Sequence, residues 1–341
     1  MGDYSGYSRG VKVAILCTIW FCLSSSNNVI IKRLLSDYPY PITVSLSHMT
    51  STAFLMYPVL FGFGVKTTVD IPILRFYVLL IPLGIGKLLV SISSHVSIWR
   101  IPVSYAHTVK AMMPIFTVLI TRMIFKERQS WKVYLSLLPI ISGVGIATVT
   151  ELSFEVYGML TALFCTMVFA LQNIYTKRAI KDLRLNHLHL LTRIAHISFV
   201  IAVPLWLITD SQQLFNDERL ASSDTLVWFL SRLVLSGIIN FTQNIMAFSV
   251  LNLLSPLSYS VATATKRILV IAISILTLKN PITPMNSVGM FLAVFGVFLY
   301  NRTKQIEVQK RLATLPFTYT KTEKTNQNGF TNVHKRPHSF I

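Results

Sequence analysis

Six basic side chains, Lys87, Lys110, Arg193, Arg232, Lys266 and Arg267, sit inside stretches of sequence that are otherwise overwhelmingly apolar. All thirteen Asp and Glu lie outside those stretches. A Lys or Arg at the centre of a membrane helix costs about 2.5–3.5 kcal/mol on the insertion scale. Lys110, Lys266 and Arg267 together would cost about 7–10 kcal/mol, less what snorkelling recovers. The chain places no carboxylate in the membrane to neutralise them. Such a field fits a partner that is an anion and comes from outside.

The local sequence shows how these groups are presented. His107 lies one helical turn before Lys110 and on the same face. Pro114 removes the hydrogen bond to the Lys110 carbonyl, so the helix is expected to kink there, at a depth where a freed carbonyl must face protein or water. Lys266 and Arg267 end a run of small residues, Ala262-Thr263-Ala264-Thr265, that permits close helix approach. As helix neighbours they diverge by about 100°. Either a cavity wraps around that helix or one of the two reaches for the interface. Lys87, Ser91, Ser94 and His95 form one stripe. Further polar groups, Trp20, Ser24, Asn27 and Asn28 in one segment and Asn240, Gln243 and Asn244 in another, read first as interhelical hydrogen-bond partners. Arg193 and Arg232 read as structural, able to snorkel, and Tyr105 and Tyr259 as interfacial anchors.

The elements that carry these residues are apolar runs of about twenty residues. Ten are expected, near 11–31, 41–63, 76–98, 104–123, 131–150, 156–176, 188–208, 226–249, 255–278 and 284–301. Lys and Arg concentrate in the N-terminal segment, alternate connections and the tail, which puts both termini in the cytosol. Four matches recur in the same order along the chain. Asn28-x-x-x-Lys32-Arg33 parallels Asn173-x-x-x-Lys177-Arg178, and His48 parallels His196. Pro102-Val103-Ser104-Tyr105 parallels Pro256-Leu257-Ser258-Tyr259, and Gly143 parallels Gly296. The fold expected is an all-α polytopic membrane protein of ten transmembrane helices in two five-helix repeats. They span 11–150 and 156–301, flanked by a cytosolic segment 1–10 and a disordered basic tail 302–341. Five is odd, so the second repeat enters the membrane inverted, an arrangement associated with secondary transporters.

Composition excludes other classes. The chain has 341 residues, 52% of them apolar and only 13% charged, far from a soluble domain. Its net charge of +18 follows the loops and tail, without the basic stripe and interleaved aromatics of a nucleic-acid binder. Cys17, Cys22 and Cys165 lie in apolar segments and read as small buried hydrophobes. No metal spacing, cofactor motif or catalytic constellation is present, so neither enzyme, metal site nor cofactor is expected. Nothing fixes an oligomeric state.

Two segments also carry a resemblance to a known family: Pro102-Val103-Ser104-Tyr105-Ala106-His107-Thr108-Val109-Lys110-Ala111-Met112-Met113-Pro114, and residues 255–267 ending in Thr265-Lys266-Arg267. The chain resembles the triose-phosphate/nucleotide-sugar translocators of the drug/metabolite transporter superfamily. Within them it is most similar to solute carrier family 35, subgroup E. The resemblance implies a ten-helix exchanger working by alternating access, with Lys110, Lys266 and Arg267 clamping phosphate and Ser94 contacting it. Ser91 stands where the family has His, and Gln243 where it has a substrate-facing Tyr. The phosphate grip is retained while the part that reads the organic moiety has changed. The expected substrate-binding set is Lys110, Lys266, Arg267, Ser94, His107, Gln243 and Lys87.

The expected function is antiport of a small anionic organic phosphate, a sugar phosphate or nucleotide sugar, against inorganic phosphate or a nucleotide monophosphate. Two alternatives are a proton-coupled carrier of another solute, through His107 or His95, and a non-transporting scaffold acting through its tail. Besides the substrate, the partners are membrane lipids. The short polar N-terminus reads as neither signal nor transit peptide, which with the resemblance implies a Golgi or endoplasmic reticulum membrane.

Overall fold

A chain that crosses lipid must satisfy every backbone N–H and C=O within itself, and apolar runs of about twenty residues do so as helices. The computed structural model describes residues 3–62, 64, 74, 76–183, 187–254 and 256–314, and among them all regular structure is helical. The helices are α1 (Asp3–Asp37), α2 (Pro41–Gly62), α3 (Ile81–Arg100, led by a π turn at Phe76–Leu80), α4 (Val103–Val109), α5 (Met113–Phe125), α6 (Trp131–Leu135) and α7 (Leu138–Val149). They continue as α8 (Val156–Leu183), α9 (His187–Ile208), the short α10 (Asp210–Phe215), α11 (Ser223–Leu253), α12 (Pro256–Leu278) and α13 (Pro284–Thr314).

Nine segments of the described residues are long and apolar enough to cross a membrane, and they take in every long helix but α2. α2 has 22 residues, and Thr43, Ser45, His48 and Thr52 dilute its apolarity while being buried by neighbouring helices. The chain is an all-helical, multi-pass membrane protein. α13 continues to Thr314, past the residue near 302 where the sequence ends the last apolar run. The remainder of the basic tail, 315–341, lies outside the described residues, as do Lys66, Arg75 and Arg184.

Proline sets six of the thirteen starts. Pro41, Pro256 and Pro284 open α2, α12 and α13, and Pro82, Pro114 and Pro139 occupy the first turns of α3, α5 and α7. There the missing N–H would have had no intrahelical partner. The last two also divide runs that would otherwise be single helices, giving the pairs α4–α5 and α6–α7.

Packing is closest where small residues meet. A Cβ on Gly289 would lie 2.6 Å from Ala147 N, and one on Gly296 2.7 Å from Ile140 N. Without a hydrophobic drive between helices in lipid, such backbone approach supplies the dispersion that joins α7 to α13. The largest apolar cluster gathers at the end of the bundle away from the N-terminus, which is called here the distal end. Leu34 and Leu35 of α1 pack there with Tyr38, Tyr40, Val44, Ile98, Ile101, Val103, Tyr105, Leu220 and Phe229.

Polar clasps close over that cluster. Asp210 accepts from the Thr43 N–H at 2.8 Å and from its hydroxyl at 3.0 Å, and so caps α2 from across the bundle. The Tyr40 hydroxyl donates to Asp217 at 2.7 Å, and Arg219 donates to Asp217 at 2.7 Å and to the Asp37 carbonyl at 2.8 Å. The Arg219 guanidinium, aided by the Tyr40 hydroxyl, holds the Asp217 carboxyl well below the usual range. The stability this brings is complete above the unfolded pKa of about 3.9 and is lost as pH falls through the depressed folded value. Asp217→Asn is therefore expected to lower thermal stability at neutral pH, by an amount that shrinks as pH drops below about 4. A loss that stays constant into acid would mean the carboxylate charge contributes nothing.

Candidate functional site

Lys110 stands at the break in the fourth apolar run. α4 ends at Val109, a single 3-10 turn covers Lys110–Met112, and α5 begins at Met113. Pro114 cannot donate to the Lys110 carbonyl, and the Met113 N–H takes that role instead through a tighter i→i+3 bond. The break is therefore satisfied within the backbone and aims Lys110 across the bundle. Its ammonium donates to Ser94 Oγ at 2.7 Å, pairing two residues sixteen positions apart. Cys165 of α8, whose thiol reaches the Val90 carbonyl at 3.4 Å, lies beside Lys110 and Ser94.

Lys266 and Arg267 both stay inside the protein, half-buried on α12. The Lys266 ammonium sits 4.6 Å over the Trp20 ring, itself stacked on Tyr259 at 5.8 Å. An aromatic face attracts a cation without neutralising it, so the charge remains available. Arg267 Nη1 is buried with no hydrogen-bond partner in the structure. Lys110 interacts electrostatically with Arg267, and Lys266 with both, so the three cations form one mutually repelling group. Although neighbours on a helix diverge by about 100°, both side chains are half-buried and neither is left exposed on the surface of the bundle.

The remaining sequence-predicted residues divide. His107 is within electrostatic reach of all three cations and pairs through Nε2 with Asn28 Oδ1 at 3.1 Å. Lys87 is half-buried and is sensed by His48, but no hydrogen bond joins it to the cation group among the described residues. Gln243 turns its amide N–H to Asn240 Oδ1 at 3.1 Å and leaves its buried Oε1 unpaired, as is the Asn244 amide nitrogen. These amides form a polar patch on α11 itself, and no contact with the cations is found among the described residues.

Sequence reasoning missed part of this arrangement and misplaced two side chains. Tyr105 is no interfacial anchor: it is fully buried, its hydroxyl donating to Thr148 at 3.0 Å. Nor is Tyr259, which supports Trp20 beneath Lys266. Tyr105 lies in a helix buried on nearly every side, and Tyr259 lies opposite the exposed face of α12 formed by Val261, Thr265 and Ile268, so both rings turn inward. Unforeseen too was a buried network in which His48 packs edge-on to His95 at 4.9 Å and bonds Ser236 at 2.9 Å. Ser236 donates in turn to Asn27 at 3.0 Å, and His95 pairs with Ser45 at 2.7 Å. The polar stripes on α1, α2, α3 and α11 were the available signal. Arg232 lies 5.4 Å over the Trp228 ring.

Comparison with known proteins places this geometry. Residues 11–301 match the Triose-phosphate Transporter family. The chain is 31% identical over 306 residues to phosphoenolpyruvate/phosphate translocator 2, chloroplastic, of Arabidopsis thaliana, covering 88% of this chain and 79% of that one. It is 28% identical to glucose-6-phosphate/phosphate translocator 1, chloroplastic, of the same plant, over 87% and 76% of the two chains. It is 31% identical to the chloroplastic triose phosphate/phosphate translocator of Pisum sativum, over 86% and 73%. A solved structure, named only as the crystal structure of a protein, shares the fold with a TM-score of 0.54 at 14% identity, over 87% of this chain and 99% of its own.

Two expectations are corrected by these relatives. They are plastidic phosphate translocators, so the chain is not assigned to solute carrier family 35, subgroup E. Their chloroplastic location also overturns a Golgi or endoplasmic reticulum membrane. The finer assignment is carried by two short helix-opening segments, 102–114 and 255–267, whereas these relatives match along most of the chain. The protein is a transporter rather than an enzyme, and with 11–301 matched it belongs to the Triose-phosphate Transporter family.

Proposed function

We propose that this protein is a secondary transporter that exchanges a phosphate-bearing metabolite for inorganic phosphate, with Lys110, Lys266 and Arg267 as the phosphate clamp. One observation carries the reading: three mutually repelling cations share a buried site, one of them with an unpaired guanidinium nitrogen. A buried charge without a partner is strongly unfavourable unless a counter-charge arrives. Phosphate supplies that charge, and its oxygens match Arg and Lys donors. Ser94 and His107 complete the ring of donors around the phosphate. Gln243 and Lys87 line the part that meets the organic group.

We infer alternating access by two inverted repeats, 11–150 and 156–301, with 1–10 and 302–341 outside them. α2 supplies the tenth crossing, and both termini then lie on one face. The repeat is supported by Gly143 and Gly296, matched in sequence and both seated at the contact of α7 with α13.

The test is exchange in liposomes preloaded with inorganic phosphate, offering labelled triose phosphate, phosphoenolpyruvate and glucose 6-phosphate in turn. Uptake that requires internal phosphate is the expected result. Folded protein that moves none of them, or moves them equally from empty liposomes, would overturn the reading.

A further inference from the structure

Lys32 belongs by sequence to the charges of a connection, yet its ammonium is bound inside the protein. It donates to the carbonyls of Ile98, Trp99 and Ile101 at 2.8, 3.0 and 3.1 Å. An ammonium has three donors, and all three are satisfied. The acceptors are what the end of α3 leaves unpaired. Pro102 forces Ile101 into extended backbone, φ −122° and ψ 163°, and the helix stops there. The charge also meets the negative end of the α3 dipole. Lys32 thus ties α1 to the joint between α3 and α4, the helix that leads to Lys110, at the distal end sealed by the large apolar cluster.

The sequence contains this device twice. Lys177 ends the matching motif of α8, and Pro256-Leu257-Ser258-Tyr259 opens α12 as Pro102-Val103-Ser104-Tyr105 opens α4. The joint between α11 and α12 has the same form, α11 ending with Leu254 extended at φ −101° and ψ 150°. Yet Lys177 is exposed, with no hydrogen bond or ion pair among the described residues, and it feels the like charge of Lys304. Two side chains equivalent in sequence occupy opposite states in one conformation.

We propose that Lys32 and Lys177 are alternating latches: Lys32 locks the distal end shut in this conformation, and Lys177 takes the equivalent place on the end of α11 when the opposite end shuts. The idea rests on the exchange reading and its inverted repeat. It adds the differential contact that a two-state transporter needs, since a group bonded equally in both states could bias neither. Three charge-assisted bonds exist in one state and are replaced by water in the other. Inversion of the repeats puts the two joints on opposite faces, so each latch holds a different closed end.

The test uses uniformly oriented proteoliposomes and reads the half-saturation concentration of inorganic phosphate on each face. Lys32→Met should favour the distally open state, lowering the distal value relative to the other by about tenfold or more. Lys177→Met should move the ratio the opposite way, and Lys32→Arg should restore it in part. A second arm needs no transport. Cys165 beside the site is labelled by a charged, impermeant methanethiosulfonate from either face in a Cys17→Ala, Cys22→Ala background. The same two variants should shift labelling in opposite directions. Ratios that do not move, or that move the same way in both variants, would reduce Lys32 to a static helix cap and overturn the proposal. Labelling that reverses as expected without any phosphate exchange would leave the latches standing and remove the exchange reading. Should Lys32→Met fail to fold, Lys177→Met carries the test alone, because the Lys177 side chain makes no hydrogen bond or ion pair among the described residues.

Discussion

Arg267→Gln is expected to abolish phosphate exchange and, in the same protein, to raise thermal stability in the absence of substrate. The two effects have one cause. Arg267 repels Lys110 and Lys266 and leaves Nη1 buried and unpaired, so its charge destabilises the empty site. Removing it relieves that repulsion. With phosphate bound the balance reverses, because truncating one partner of a buried, hydrogen-bonded charge pair costs about 2–5 kcal/mol, or roughly 30- to 5,000-fold in affinity. Inorganic phosphate should therefore raise the melting temperature of the unaltered protein and leave that of Arg267→Gln almost unmoved. Arg267→Lys keeps the charge and loses the planar fork, so it should fall between the two. Thermal shift with and without phosphate decides the matter. An Arg267→Gln protein that is less stable when empty, yet still protected by phosphate, would show that Arg267 is a structural cation and the clamp lies elsewhere.

Gly143→Leu is expected to damage the fold where Gly145→Leu, two residues away, does not. A Cβ at Gly143 would lie 2.7 Å from the Gly289 carbonyl oxygen and 2.8 Å from Ala293 Cα, both backbone atoms that cannot turn aside. Nothing lies within 4 Å of the same position at Gly145. Overpacking a close contact costs about 1–3 kcal/mol, and more where backbone must yield. α7 and α13 would have to part, so Gly143→Leu should unfold at markedly lower temperature or fail to accumulate. Equal behaviour of the two variants in detergent melting would show that this crossing does not hold the bundle together.

Much of the site was legible in the chain because the cost of a membrane charge depends on depth, and depth follows from position in an apolar run. Lys110, Lys266 and Arg267 stood out on that ground alone. Pro114 predicted a kink at Lys110; that the helix stops there, with the Met113 N–H closing the carbonyl, needed coordinates. The resemblance implied that Ser94 contacts phosphate, and only the structure shows its Oγ accepting from the Lys110 ammonium at 2.7 Å. Gln243 reads differently in three dimensions, as its amide is turned to Asn240 and no contact with the cations is found among the described residues. Trp20 carried a signal too weak to use, since an aromatic ring in an apolar run is ordinary.

By itself the sequence determined what is local or additive. Apolar runs give the spans, proline gives the starts and breaks, and the imbalance of membrane cations over acids gives the chemistry of the partner. Only the tertiary structure decided which groups meet across the bundle. Lys32 and Lys177 have the same motif and the same place in their repeats, yet one is bound by three carbonyls and the other is exposed. Tyr105 and Tyr259 open equivalent helices, yet one bonds Thr148 and the other supports Trp20 beneath a cation. The physical reason is one of range. A helix and its terminus follow from neighbours within a turn or two, whereas the partner of a side chain follows from how whole helices pack, and a transporter must pack its helices in more than one way.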